Sequence, residues 1–165
     1  MEAETVAVAV RGNADALAFL RAMARVLHCW DDLIDQDKEV TDETINGCMS
    51  SALLEIPLNP FYREHIDVLA PVLSLAIINW RIATGIERDP STSKDDLLWA
   101  FVIRSTYLDL VTMCAQIIGG SEHAIACGPE LRRWAHAETF IGYLKNLDAE
   151  FRARKEKQCA VTAAQ

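Results

Sequence analysis

Apolar positions recur at intervals of three and four along most of this chain, which is the spacing of amphipathic α-helices. No run alternates with period two for long enough to read as a strand. Residues 1–11 are a weakly β-prone leader with no assigned element. Asn13 suits an N-cap, and after it Ala16, Phe19, Leu20, Met23, Val26, Leu27, Trp30 and Ile34 mark one face of a helix ending near 35–38. Thr41 caps a second helix through Ile45, Cys48, Met49, Ala52, Leu53 and Ile56, which Pro57 stops. Asn59-Pro60 places an N-cap before an N1 proline and opens a helical pattern from Phe61 to Ile86, with Pro71 as a kink or a break. The half from Val72 to Ile86 is apolar almost all round, so it is expected at the buried centre of a bundle.

Ser93 with Asp96 three residues on reads as a capping box. The helix it opens carries Leu97, Phe101, Val102, Tyr107, Leu108, Val111, Ala115 and Ile118 and stops at Gly119-Gly120. A short helix from His123 to Cys127 follows. Pro129 begins the last one, through Trp134, Phe140, Leu144, Leu147 and Phe151, and residues 155–165 are expected to form a loose tail. The expectation is one all-α domain over 1–165, a bundle of five to six helices. The four tryptophans, Trp30, Trp80, Trp99 and Trp134, fall at core-like helical positions.

Charge narrows the function classes. With 24 acidic and 16 basic residues among 165, the net charge of −8 argues against nucleic acid or an anionic membrane as the main partner. Five cysteines lie scattered with no C-x-x-C pair, which suits free thiols in a reducing compartment and gives no zinc signature. The N-terminus is acidic and lacks the basic start of a signal peptide. The longest apolar run, Val68 to Ile78, is broken by Pro71 and Ser74 and is too short to span a bilayer. A cytoplasmic protein is expected.

One stretch is poorly explained by local stability. In His28-Cys29-Trp30-Asp31-Asp32-Leu33-Ile34-Asp35, helical spacing puts His28, Asp31, Asp32 and Asp35 within a sector about 100° wide. Grouped carboxylates repel one another, and here they sit where the helix dipole is negative. They read either as a solvated face paired with Arg21, Arg25 and Lys38, or as ligands of Mg²⁺, which prefers carboxylate oxygen. His28 would then orient a carboxylate or touch substrate, and would itself be a ligand if the ion were Mn²⁺. Asn79 and Arg104 lie within apolar helical runs and each needs a polar partner. Arg104, with Asp109 on a neighbouring flank, is read as an interhelical ion pair or as an anion-binding residue beside a metal. His136, Glu138 and Lys145 do not share a helical face and read as surface residues.

Asp31-Asp32-Leu33-Ile34-Asp35 resembles the DDxxD motif of class I isoprenoid and terpenoid synthases, all-α enzymes that use it to hold Mg²⁺ and a substrate diphosphate. The chain is about half the length such synthases need. Where their second metal motif would fall, Asp109 and Thr112 are flanked by Leu108 and Gln116 in place of the outer ligands. The resemblance therefore implies a carboxylate-held metal and a phosphate or diphosphate compound, without prenyl transfer. The chain as a whole is also similar to small helical proteins encoded by bacteriophages that share the His-x-Trp-Asp-Asp-Leu-Ile-Asp run, which implies a host cytoplasmic location and brings no activity with it. The alternative expectation is a non-catalytic helical interaction protein, a homodimer with an acidic surface.

Overall fold

A computed structural model describes residues 2–36 and 38–163, with side chains over 4–36 and 38–152. Among the described residues there is no strand, and seven helices have eight or more residues. They are α1 (Glu2–Ala9), α2 (Ala14–Asp35), α3 (Asp42–Ser50), α4 (Ile66–Arg88), α5 (Lys94–Ile103), α6 (Thr106–Ala135) and α7 (Phe140–Ala163). Shorter pieces, Ser51–Glu55 in π geometry, Ile56–Leu58 and Pro60–Glu64, link α3 to α4. The protein is all-α, with more helices than the five to six that periodicity suggests.

The start signals work as their chemistry requires. The side chains of Asn13, Thr41 and Asn59 accept from the backbone N–H groups of Ala16, Thr44 and Tyr62 at 2.9, 3.2 and 2.9 Å. Ser93 and Asp96 form a reciprocal capping box. Asn59 also donates to the Asp15 carbonyl at 2.9 Å, tying the connector to the start of α2. The connector is further held by Arg25 of α2, which bonds the buried Ser51 hydroxyl and pairs with Glu55.

Several expectations are corrected. The leader is helix α1, packed along α6, and its Val6 and Ala9, with Val10 just beyond, are buried in the core. Its alanines and valines looked β-prone in isolation, and tertiary burial decides their state. The core they join is built from Phe19, Leu20 and Met23 of α2, Phe61, Leu69 of α4, and Leu108, Leu110, Val111, Cys114 and Leu131 of α6. Pro129 lies inside α6, where it costs one backbone hydrogen bond, and the last helix begins at Phe140. The break expected at Gly119-Gly120 is a sharp bend within α6, made at Gly120 (φ 78°, ψ 176°), a conformation open to glycine. Helix α7 continues to Ala163 over most of the expected loose tail; Ala164 and Gln165 lie outside the described residues.

Helix α4 is not a buried centre. Leu69, Ala76, Ala83, Thr84 and Glu87 are buried, while Leu75, Ile77, Ile78 and Ile82 are about half exposed. An all-round apolar pattern marks a helix that avoids water, but it cannot say whether this chain supplies the cover. Pro71 does not interrupt the helix, so its 23 residues are long and apolar enough to cross a membrane by length and composition, contrary to the short run expected. The segment Lys94–Ala135 passes the same test. Trp99 on α5 is 60% exposed and is not a core residue.

Candidate functional site

The site forms where the C-terminal half of α2 meets the end of α4, the α5–α6 junction and α7. Helix α2 stops at Gln36, which is left-handed (φ 54°) and donates its N–H to the Asp32 carbonyl, so Asp32 and Asp35 occupy the last turn. That is the negative end of the dipole, and cations from other elements answer it. Arg104, at the end of α5, bonds Asp31 at 2.7 Å, Glu87 at 2.6 Å and Asp35 at 3.4 Å. Arg88 approaches Asp35 at 3.4 Å from the other side, and Lys38 reaches Asp32 Oδ1 at 3.1 Å. Asp31 Oδ1 also accepts from Trp80 Nε1 at 2.9 Å.

Glu87 is the deepest member. It is 6% exposed and accepts from the Tyr143 hydroxyl of α7 at 2.5 Å while pairing with Arg104. Burial disfavours the charged form of Arg104, but Glu87 first, then Asp31 and Asp35, outweigh that and hold the guanidinium above its ordinary value. Burial pushes the Tyr143 phenol up, and its bond to Glu87 pushes the same way, so it stays a donor. Arg104 also lies 5.6 Å from the Trp80 ring centroid, which pins that indole between a cation and the Asp31 carboxylate.

The carboxylate stripe of α2 lines a half-open cavity of about 890 Å³. His28, Asp31, Asp32 and Asp35 form one wall; Phe101, Arg104, Ser105, His136, Glu138, Tyr143, Asn146 and Glu150 contribute to the others. A smaller cavity of about 210 Å³ adjoins it, lined by Trp30, Trp80, Tyr107, Trp134 and Thr106 among others. Five residues, His28, Asp31, Arg104, Tyr107 and Trp134, line both.

Of the residues the sequence singled out, His28, Asp31, Asp32, Asp35 and Arg104 converge here, and two do not. Asn79 does not line the cavity. Asp109 is exposed and pairs with Arg132 at 3.1 Å on another face. His136 and Glu138 read as surface residues, and Glu138 is exposed, but the turn between α6 and α7 also places both along the cavity. Glu87 and Tyr143 were missed. A signal for Glu87 exists: Ala76, Trp80, Ala83 and Glu87 continue one helical stripe, so the glutamate falls on the buried face.

A magnesium ion typically takes one or two carboxylates, retains waters and completes its shell with phosphate oxygens. Among the described residues no three His, Cys, Asp or Glu side chains come together as a cage for an ion. Asp35 is enclosed between Arg88 and Arg104. Asp31 and Asp32 are less buried and carry their cationic contacts on Oδ1. The donor set therefore fits an ion shared with a ligand better than one held by protein alone. No protein-family model, curated protein or solved structure matches this chain.

Proposed function

We propose that this chain is a single-domain helical protein that binds Mg²⁺ or Mn²⁺ together with a phosphate-bearing small molecule in the cavity beside α2. The observation that supports this reading is the charge of that cavity. Its lining carries the carboxylates of Asp31, Asp32, Asp35, Glu138 and Glu150 against the cations of Lys38 and Arg104. Such a surface repels a bare phosphate and attracts a divalent ion, and the ion then attracts the phosphate. Asp31 and Asp32 hold the metal, while Asp35, between two arginines, stiffens the wall. His28 at the rim touches the ligand. Once bound, the ion supplies Lewis acidity toward a phosphate oxygen or a water.

Thermal melts test this. At ligand concentrations about 100-fold above Kd, linkage adds about 2.7 kcal/mol, which is ~5–10 °C for a chain of this size. Wild type should rise by that order with Mg²⁺ and inorganic pyrophosphate together, and Asp32→Asn by much less. No rise, or an equal rise in both proteins, overturns the reading.

A second reading is favoured by a different observation. Leu75, Ile78 and Ile82 of α4 and Trp99 and Val102 of α5 are exposed on two helices that pack together, which suits an interaction protein that forms a homodimer. Arg81, exposed on the same helix as the first three, favours a protein partner over lipid and accords with a cytoplasmic location. Light scattering over a concentration series tests it: a dimer supports this reading, and a monomer at high concentration removes it.

A further inference from the structure

The smaller cavity has a different chemistry from the chamber it joins. Its aromatic walls are held rigidly. Trp30 and Trp80 lie 4.3 Å apart with their planes tilted by 37°, and the Trp80 N–H is committed to Asp31. Elsewhere in the lining, the Tyr107 hydroxyl donates to the Leu20 carbonyl at 3.1 Å, and its ring meets Trp134 edge-on at 6.2 Å. Fixed flat walls suit a flat ligand group better than a flexible chain, because neither side loses freedom on binding.

Size and polarity narrow the group. A dry cavity of about 150 Å³ takes benzene, so about 210 Å³ suits one ring or a small fused pair. The lining is not wholly apolar: Asp31, Arg104 and Thr106 border it. Asp31 and Arg104 are held by each other and by Trp80 and Glu87, and with Thr106 they give part of the wall a polar edge that a heterocycle's donors and acceptors can meet and a hydrocarbon tail cannot use. Five lining residues are common to both cavities, so the aromatic-lined space lies directly beside the acidic, cation-attracting one.

We propose that the smaller cavity takes the nucleobase-sized heteroaromatic ring of a nucleotide, with the phosphate of the same molecule lying in the larger cavity. This deepens the reading above, since the phosphate end rests on the metal proposed there, while the ring end stands on the aromatic walls alone.

The experiment uses tryptophan fluorescence of the full chain, titrated separately with adenosine, adenosine monophosphate, inorganic pyrophosphate and geranyl diphosphate, each with and without Mg²⁺. The expected result is quenching by adenosine independent of Mg²⁺, tighter quenching by adenosine monophosphate with Mg²⁺, and none by geranyl diphosphate beyond that of pyrophosphate. Trp134→Leu should weaken adenosine by roughly tenfold, the scale of one lost stacking wall, and Trp134→Phe by much less. Quenching by geranyl diphosphate in preference to both adenosine compounds overturns the inference. So does adenosine binding that Trp134→Leu leaves unchanged. If the variants do not fold, the wild-type preference between adenosine monophosphate and geranyl diphosphate decides alone. Pyrophosphate binding with Mg²⁺ but no adenosine binding removes this inference and leaves the metal reading standing; adenosine binding with no Mg²⁺ effect on adenosine monophosphate or pyrophosphate removes the metal reading and leaves the ring site standing.

Discussion

Replacing Arg104 by methionine removes the one cation that Asp31, Asp35 and Glu87 share, and the cost can be worked from their surroundings. Deleting one partner of a buried ion pair costs about 3–5 kcal/mol, because the other charge stays buried without compensation. Asp31 contributes little to that sum, since its side chain is 41% exposed and keeps its bond to Trp80. Asp35 retains Arg88. The loss therefore falls on Glu87, whose side chain is 4% exposed and keeps only the Tyr143 hydroxyl among the described residues. That places Arg104→Met near the lower end, about 3 kcal/mol. For a chain of this size the melting temperature should drop by ~6–12 °C. Calorimetric melts at pH 7 of wild type, Arg104→Met, Glu87→Gln and the double variant form a double-mutant cycle. The amide introduced by Glu87→Gln can still accept from Tyr143, so the double variant should recover at least half of the loss. A drop below about 2 °C for Arg104→Met, or a double variant no more stable than the single one, would refute the reasoning.

Other parts of the fold yield three more predictions. A Cβ on Gly119 would lie 2.2 Å from His123 Cδ2 and 2.7 Å from its Cβ, and that imidazole bonds the Ala9 carbonyl at 2.8 Å. Gly119→Ala should therefore cost about 1–3 kcal/mol by melting, and clearly less in a His123→Ala background, where only the Cβ contact remains; destabilisation of equal size in both backgrounds would remove this explanation. The side-chain and backbone bonds from Ser93 hold the Asp96 carboxyl below its ordinary value. A depressed native value contributes stability that is complete above about pH 4 and fades as pH falls through the native value, so the melting gap between wild type and Ser93→Ala should narrow on acidification to the part due to the Asp96 N–H cap bond; a gap that widens contradicts the capping account. Burial pushes the Cys114 thiol up to about 12, so in mass-mapped alkylation at about pH 8, near the ordinary thiol value, it should stay unmodified in native protein and react on unfolding. Labelling of native Cys114 as fast as the half-buried Cys127 would show that the core around it opens.

How much of this was legible in the chain depends on whether the cause was local. Caps are local chemistry, so Asn13, Thr41, Asn59 and Ser93 could be read from one side chain and the next three residues. The acid stripe of α2 was legible for the same reason, but of the cations read beside it Lys38 meets Asp32 while Arg25 pairs with Glu55 instead. Which distant cations answered it was not legible: Arg88 and Arg104 lie 53 and 73 residues from their partners Asp35 and Asp31. Burial of α1 was hidden too, because an Ala-Val run has the same periodicity whether or not α6 covers it. Helix α4 failed in the opposite direction, its apolar circumference being only half covered by this chain. His136 and Glu138 share no helical face, and only the turn between α6 and α7 makes them neighbours of the aspartates.

The most direct measurement of the central claim is isothermal titration of the full chain with Mg²⁺ in the presence of inorganic pyrophosphate, on wild type and on Asp31→Asn/Asp32→Asn. The account predicts saturable heat at one ion per chain for wild type and its loss in the variant, provided both melt cooperatively. Equal heats for the two proteins, or none for either, would contradict it.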